Sequence, residues 1–395
     1  MRDAAGVGPV RRVSIASSVW SRSLKPSPPK NLMPLSRYGL CDALMTAARS
    51  NPRVAISSGA PGVGRTPPRN TSPPADATEE AIEDRLDAPP LPPTRIGRID
   101  RIRGTDSEYL AAIADRFDTL DLSGTKVLLD CANGATFNVA PAIFRRLRAQ
   151  VTVLNDEPDG RNINEGSGST HVEALAAPMR EGGHDIGFAF DGDGDRVLAV
   201  DRNGVVVDGD ELIALAALHL RAVGTLPGNG VAVTVMTNYG FHTAMRDAGI
   251  EVATTGVGDR YVLEELRRRG WALGGEQSGH IIDLGFNRSG DGIAAALLTL
   301  EALAGGDLAE RHAMERLPQR LVNVRVADRD AAMASDGLAE AVARESAALE
   351  GRGRVLVRPS GTEQLVRVMV EAPAEDEAGD ACARIVDVVR AASGG

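Results

Sequence analysis

At 395 residues the chain is long enough for two to four domains, since single hydrophobic cores stop growing at about 250–300 residues. With 43% hydrophobic and 25% charged residues it has the composition of a soluble globular protein, and no apolar run approaches the ~20 residues of a membrane helix. A net charge of −10 argues against a general nucleic-acid binder, and Cys41, Cys131 and Cys382, scattered without metal-ligand spacing, fit a reducing cytoplasm.

Residues 1–75 hold eleven Lys or Arg against Asp3 and Asp42, with eleven of the 22 prolines, and show no apolar period from which to build a core. They also lack the compact apolar stretch of a secretory signal. The spacing of Ile82 and Leu86 predicts a helix over 77–87, and the prolines between Ala88 and Pro93 end it in a linker. From Thr105 a helix carrying Tyr109, Leu110, Ile113 and Phe117 leads to a strand at 125–131, a helix near 140–148 and a strand at 150–154. Strand, helix, strand in that order is a βαβ unit, which implies a mostly parallel sheet covered by helices. A helix at 172–181 then delivers the chain to the apolar strand Ile186–Phe190. A second unit of the same class follows over about 207–318, and a smaller α+β arrangement, with strands at 320–326, 353–358 and 365–371, ends the chain.

Three loops carry chemistry. Asp191, Asp193 and Asp195, alternating with Gly192 and Gly194 and followed by Arg196, crowd three carboxylates at a strand end. The glycines let the loop curl, so the oxygens converge on one hard cation such as Mg2+. A solvated acidic turn is the plainer alternative, and an EF-hand is excluded because its sixth and twelfth positions would be Arg196 and Arg202. Glu276, Ser278 and His280 suit sugar hydroxyls, or else are a surface charge and a buried imidazole. Asp259 and Arg260 read by default as a turn with an ion pair. Arg358, Ser360, Gly361 and Thr362 form a phosphate cradle in kind, or a helix-capping box of Ser360 with Glu363, although strand-like residues follow.

The segments Val127–Gly134, Glu157–Gly160, Asn162–Asn164, Phe190–Arg196, Val257–Val262, Gly275–His280 and Arg358–Glu363 together resemble the α-D-phosphohexomutase superfamily. The likeness runs from about Ala77 to the end, and Glu276-Gln-Ser-Gly-His280 resembles its phosphoglucosamine mutase branch. The resemblance implies a multidomain α/β fold of mixed parallel sheets with flanking helices and a smaller α+β C-terminal domain. The expected division is 1–96 as an aberrant or truncated remnant of domain I, then domains at 97–206, 207–318 and 319–395. Asp191, Asp193 and Asp195 would hold Mg2+. Arg196, Asp259, Arg260, Glu276, Ser278 and His280 would face a phosphorylated hexosamine, whose non-reacting phosphate Arg358, Ser360, Gly361 and Thr362 would grip. The implied reaction interconverts glucosamine 6-phosphate and glucosamine 1-phosphate through a phosphoserine, in the cytoplasm, for cell-wall precursors, with neither nucleic acid nor membrane as partner. The family's Ser-His-Asn-Pro nucleophile loop occurs nowhere in this sequence, leaving Ser58 in Val54–Ser58 as its only faint echo. The texture of residues 1–75 and the abrupt return of family sequence near Ala77 motivate the hypothesis of a segment read out of frame, which resequencing of that region tests. The expectation is therefore a chain without turnover, with a non-catalytic sugar-phosphate-binding remnant, or a phosphomannomutase or phosphoglucomutase, as the alternatives.

Overall fold

A computed structural model of the chain describes residues 76–86, 104–360 and 363–392. Ser58 and every other expectation placed on residues 1–75 fall outside the described residues. Helix α1, Asp76–Leu86, forms where its spacing predicts, but Ile82 and Leu86 are exposed.

Helix α2, Thr105–Arg116, opens the first body and buries Tyr109 and Ile113, the positions four apart that its spacing singles out. Strand β1 (Lys126–Asp130) lies between β2 (Gln150–Leu154) and β3 (Ile186–Phe190), parallel to both. The sheet is extended antiparallel by β4 (Val197–Asp201) and β5 (Val206–Val207). All of β3 is buried because helices cover both faces of the sheet. Phe188 and Phe190 join the cluster beneath α2 and α3 (Val139–Arg146), while Ala189 joins Leu175 and Met179 of α4 (Glu173–Glu181). Gly187 makes room for that second face, since a Cβ there would lie 3.1 Å from Leu175. With β1 flanked on both sides, the chain leaves it in two directions, and open parallel sheets bind ligands at the carboxyl ends of their strands beside such a reversal. The acidic loop leaves β3 at that edge.

The second body repeats the arrangement. Helix α5 (Gly209–Ala222) leads into β6 (Gly230–Thr234), α6 (Tyr239–Asp247), β7 (Glu251–Thr255), α7 (Asp259–Arg269), β8 (Leu273–Gly275) and β9 (Ile281–Asp283). Its strand order, β7-β6-β8-β9, matches β2-β1-β3-β4, with β8 and β9 antiparallel. The loop 276–280 between β8 and β9 is therefore the counterpart of the acidic loop between β3 and β4. Helix α8 (Gly292–Leu303) is apolar almost all round, because it packs against α5, β3, β4 and β9 and so against both sheets.

In the third body β10 (Gln319–Arg325), β12 (Leu365–Glu371) and β11 (Arg354–Pro359) form an antiparallel sheet in that order. The remaining helices are α9 (Arg329–Met333), α10 (Asp336–Ala348) and α11 (Glu375–Ala392). Val366, Val368 and Val370 meet Ile385, Val386 and Val389 of α11 on one sheet face, so by alternation Arg367, Met369 and Glu371 look out from the other. Glu371 is fully buried there, accepting from Tyr239 N at 2.8 Å, Asn238 Nδ2 at 3.4 Å and Arg354 Nε at 2.7 Å. That carboxylate fastens the third body to the second.

Candidate metal and phosphate site

The acidic loop is shaped by close backbone approach. A Cβ on Gly192 would lie 2.6 Å from Ile163, and one on Gly134 only 2.3 Å from the Gly192 carbonyl oxygen, while Gly194 holds a φ of 78°. One ligand atom from each of Asp191, Asp193 and Asp195 lies within 4.8 Å of the others. Two of the carboxylates are half-occupied by the protein itself. Asp191 Oδ1 accepts from Gly194 N and Arg196 N, both at 3.1 Å, and Asp195 Oδ2 lies 3.2 Å from His280 Nδ1. The second oxygens are left over: Asp191 Oδ2 faces Arg196 Nε at 3.8 Å, and the buried Asp195 Oδ1 has no hydrogen-bond partner and lies 3.7 Å from the same nitrogen.

Burial, then the charges of Asp195 and Asp193, push the Asp191 carboxyl well above its usual range. Burial also works to raise Asp195, but its hydrogen bond and charge interaction with His280, together with Asp191 and Arg196, carry it below the usual value. Three hard oxygen donors, one of them buried and unpartnered, with a neighbour strained toward protonation, fit a small divalent cation such as Mg2+.

The loop 276–280 is welded to this one. Glu276 Oε1 accepts from Gly258 N at 2.9 Å, and Ser278 Oγ lies 3.4 Å from Glu276 Oε2, so a carboxylate and a hydroxyl are presented together. Gln277 between them turns its amide to Asp208 Oδ2 at 3.2 Å, at the N-cap of α5. Arg196 and His280 form an isolated antiparallel bridge, and Val197 N donates to the Gly279 carbonyl at 3.1 Å. Asp259 is mostly exposed, its Oδ2 3.8 Å from His280 Nε2. Arg260, expected to face the sugar, pairs along its own helix with Glu264 at 3.0 Å. His280 takes the second of its two readings, the buried imidazole, and not the sugar-facing one. It is 2% exposed, with Nδ1 on Asp195 and Nε2 accepting from Gly290 N at 3.1 Å, so its ring lies behind the acidic loop and offers no free nitrogen to a sugar.

The phosphate loop lies on the third body. Arg358 and Arg367 are cross-strand partners, and among the described residues neither has a carboxylate partner. Burial, then the Arg367 charge, hold the Arg358 guanidinium below its usual value. Ser360 Oγ accepts from Glu363 N at 3.3 Å, which is half of a capping box, but β12 follows and the residues close a hairpin, not a helix. Arg329 Nη1 donates to the Ser360 carbonyl at 2.5 Å, bringing a further cation to the loop. Gly361 and Thr362 lie outside the described residues. No hydrogen bond or ion pair among the described residues joins Arg358 or Ser360 to the acidic cluster. A cavity of about 360 Å3 does link their strand to the second body, lined by Val235, Tyr239, His242 and Thr254 on one side and Arg354 and Leu356 on the other.

Three segments match the phosphoglucomutase/phosphomannomutase family: its α/β/α domain II at residues 107–204, α/β/α domain III at 208–323 and C-terminal domain at 321–388. The phosphoglucosamine mutase of Moorella thermoacetica is 51% identical over 310 residues, which cover 76% of this chain and 70% of that protein. The chain belongs to the phosphoglucosamine mutase family. The phosphoglucosamine mutase of Saccharopolyspora erythraea is 48% identical over 321 residues, 80% of this chain and 72% of that protein. Among solved structures, Aspergillus fumigatus N-acetylphosphoglucosamine mutase in complex with GlcNAc-6P and magnesium superposes with a TM-score of 0.61 at 23% identity, covering 75% of this chain and 67% of that one. A phosphoglucomutase/phosphomannomutase family protein of Burkholderia thailandensis gives 0.60 at 22% identity, covering 73% and 65%. At those identities the likeness establishes the fold.

Within this phosphoglucosamine mutase fold, two residues escaped sequence reasoning. Arg367 became visible only through strand register, since in sequence it is one charge in an alternating strand. Asp130, fully buried at the end of β1, accepts from Ala132 N at 2.9 Å, Asn155 Nδ2 at 2.9 Å and Gly168 N at 2.8 Å. It ties together the loops packed beside the acidic one, and a lone Asp at a strand end carries no signal of that.

Proposed function

We propose that this chain binds a phosphorylated hexosamine together with Mg2+, using the loops by which phosphoglucosamine mutases interconvert glucosamine 6-phosphate and glucosamine 1-phosphate. The observation that carries the reading is the pair of half-occupied carboxylates, Asp191 and Asp195, each with one oxygen pinned by the protein and one left over, on a loop bonded through Val197 and His280 to the loop that carries Glu276 and Ser278. Asp191, Asp193 and Asp195 would hold the cation, which when bound draws negative charge from a transferring phosphoryl group. Glu276 and Ser278 orient sugar hydroxyls, one as acceptor and the other as donor or acceptor. Arg358, with Arg367 beside it, and Ser360 hold the phosphate that is not reacting, as paired guanidiniums suit a dianion.

In the family reaction a phosphoserine gives its phosphoryl group to the C1 hydroxyl of glucosamine 6-phosphate, the bisphosphate turns over in the site, and the phosphoryl group on O6 returns to the serine. This sequence holds no Ser-His-Asn-Pro, and binding loops do not replace a covalent relay. The chain as given is therefore a binder without turnover. Calorimetry with glucosamine 6-phosphate and Mg2+, paired with a conversion assay, tests both halves. Heat of binding with no glucosamine 1-phosphate formed is expected, no binding overturns the reading, and conversion by the purified chain overturns the inactivity. A panel with glucose and mannose 6-phosphates checks the hexosamine preference.

A further inference from the structure

We infer that His280 is a positioning residue that dictates which oxygen of Asp195 is offered to the cation, an inference that rests on the metal reading above. The ring is held from both sides. Gly290 N donates to Nε2 at 3.1 Å, and an accepting Nε2 carries no proton, which leaves the ring proton on Nδ1, 3.2 Å from Asp195 Oδ2. Gly290 suits that close approach, since a Cβ there would stand 2.6 Å from the imidazole and 2.6 Å from the Asp195 carbonyl oxygen. The other charges nearby do not compete: Asp259 Oδ2 is 3.8 Å from Nε2, and Arg196 Nε is 3.7 Å from Asp195 Oδ1, both beyond hydrogen-bond range.

The consequence is a carboxylate with one fixed job. Oδ2 is committed to the imidazole, so Asp195 binds through Oδ1, the buried atom without a partner. Asp191 is arranged the same way by backbone donors, at Gly194 N and Arg196 N. Two preset single-oxygen ligands suit an ion that demands near-octahedral geometry and keeps several waters. Because His280 comes from the second body and Asp195 from the first, the hydrogen bond also registers the sugar loop against the acidic loop. Partners that orient a metal ligand in this way are worth about 10–100-fold in metal affinity.

The test is Mn2+ binding to the full chain, read by electron paramagnetic resonance, for three substitutions. His280→Asn places an amide N–H where Nδ1 stands and is expected to keep affinity within about 3-fold. His280→Gln reaches the Nε2 position, keeps the Gly290 contact and leaves Asp195 unbonded, and His280→Leu keeps only the bulk. Both are expected to weaken binding about 10–100-fold. Equal affinity in Asn and Gln variants overturns the inference, as does an Asn variant no better than Leu. Should the Leu variant not fold, the Asn and Gln pair decides. Failure of the unsubstituted chain to bind Mn2+ sinks the metal reading itself, a separate outcome.

Discussion

Arg358 on β11 and Arg367 on β12 stand directly opposite one another in the strand register, two like charges where cross-strand pairs ordinarily attract. No carboxylate among the described residues neutralises them, although Arg354, at the far end of the same strand, is fully engaged by Glu371. Like-charged neighbours repel unless an anion bridges them, so the pair costs stability that a bound phosphate would offset. Arg367→Leu is expected to raise the melting temperature slightly while weakening glucosamine 6-phosphate binding by about 1.5–3 kcal/mol, the value of a charge-assisted hydrogen bond. A variant less stable yet binding normally would assign Arg367 to packing.

The crowded acidic loop predicts a second opposition. Burial and its acidic neighbours raise Asp191, so Asp191→Asn relieves repulsion in the metal-free chain and should raise its melting temperature. The same substitution should abolish the stabilisation expected of Mg2+ on the unsubstituted chain, which by mass action is about 2.7 kcal/mol at a hundred times the dissociation constant. Melting curves with Mg2+ and with EDTA separate the two effects.

Glu371 is the fastening of the third body. Glu371→Leu leaves the half-buried Arg354 without its partner and frees Tyr239 N, a loss of up to about 3–5 kcal/mol, the value for a fully buried pair. Hydrogen exchange is expected to speed up at Tyr239 and at Ala372, whose N–H bonds the Pro318 carbonyl at 3.2 Å, before it does so in β1 or β3. Uniform acceleration through all three bodies would show that they open as one unit.

Asp210 supplies a pH signature. It is fully buried, and burial followed by the charge of Asp208 raises its carboxyl from 3.8 to about 7. The native state thus binds this proton more tightly than the unfolded chain. Its stabilisation is complete below about pH 4 and is lost as pH rises to about 7. Asp210→Asn removes that dependence while keeping an acceptor for Asn238 N. The stability difference between variant and unsubstituted chain, from urea midpoints, should therefore grow in the variant's favour from pH 4 to pH 7, by up to about 1.4 kcal/mol per unit. A flat difference would mean that Asp210 titrates at its ordinary value.

Much of the architecture was legible because it rests on local rules. The βαβ order, the buried run Ile186–Phe190 and the glycines of the acidic loop follow from period, length and backbone freedom, and β2, β3 and β12 form at the predicted residues. Helix α8 was not, since a helix apolar on every side has no period to read, and its two-sided burial depends on sheets far apart in sequence. At Ser360 and Glu363 the strand character of the following residues was the better guide. The hydrogen bond forms, but the strand that follows turns it into a hairpin closure.

Residue types and spacing alone singled out three loops as candidates, for a hard cation, sugar hydroxyls and an anion, because each chemistry demands particular atoms at short range. Whether His280 meets a sugar or holds Asp195, whether Arg260 is free or paired with Glu264, and whether Arg358 acts with Arg367 depended on folding. Those contacts join residues up to 85 apart in numbering, His280 and Asp195 being the widest pair. Hydrogen bonds act over about 3 Å. A helix turn sets the Arg260–Glu264 separation and strand register sets Arg358 opposite Arg367, but only the packing of one body on the next brings His280 to Asp195.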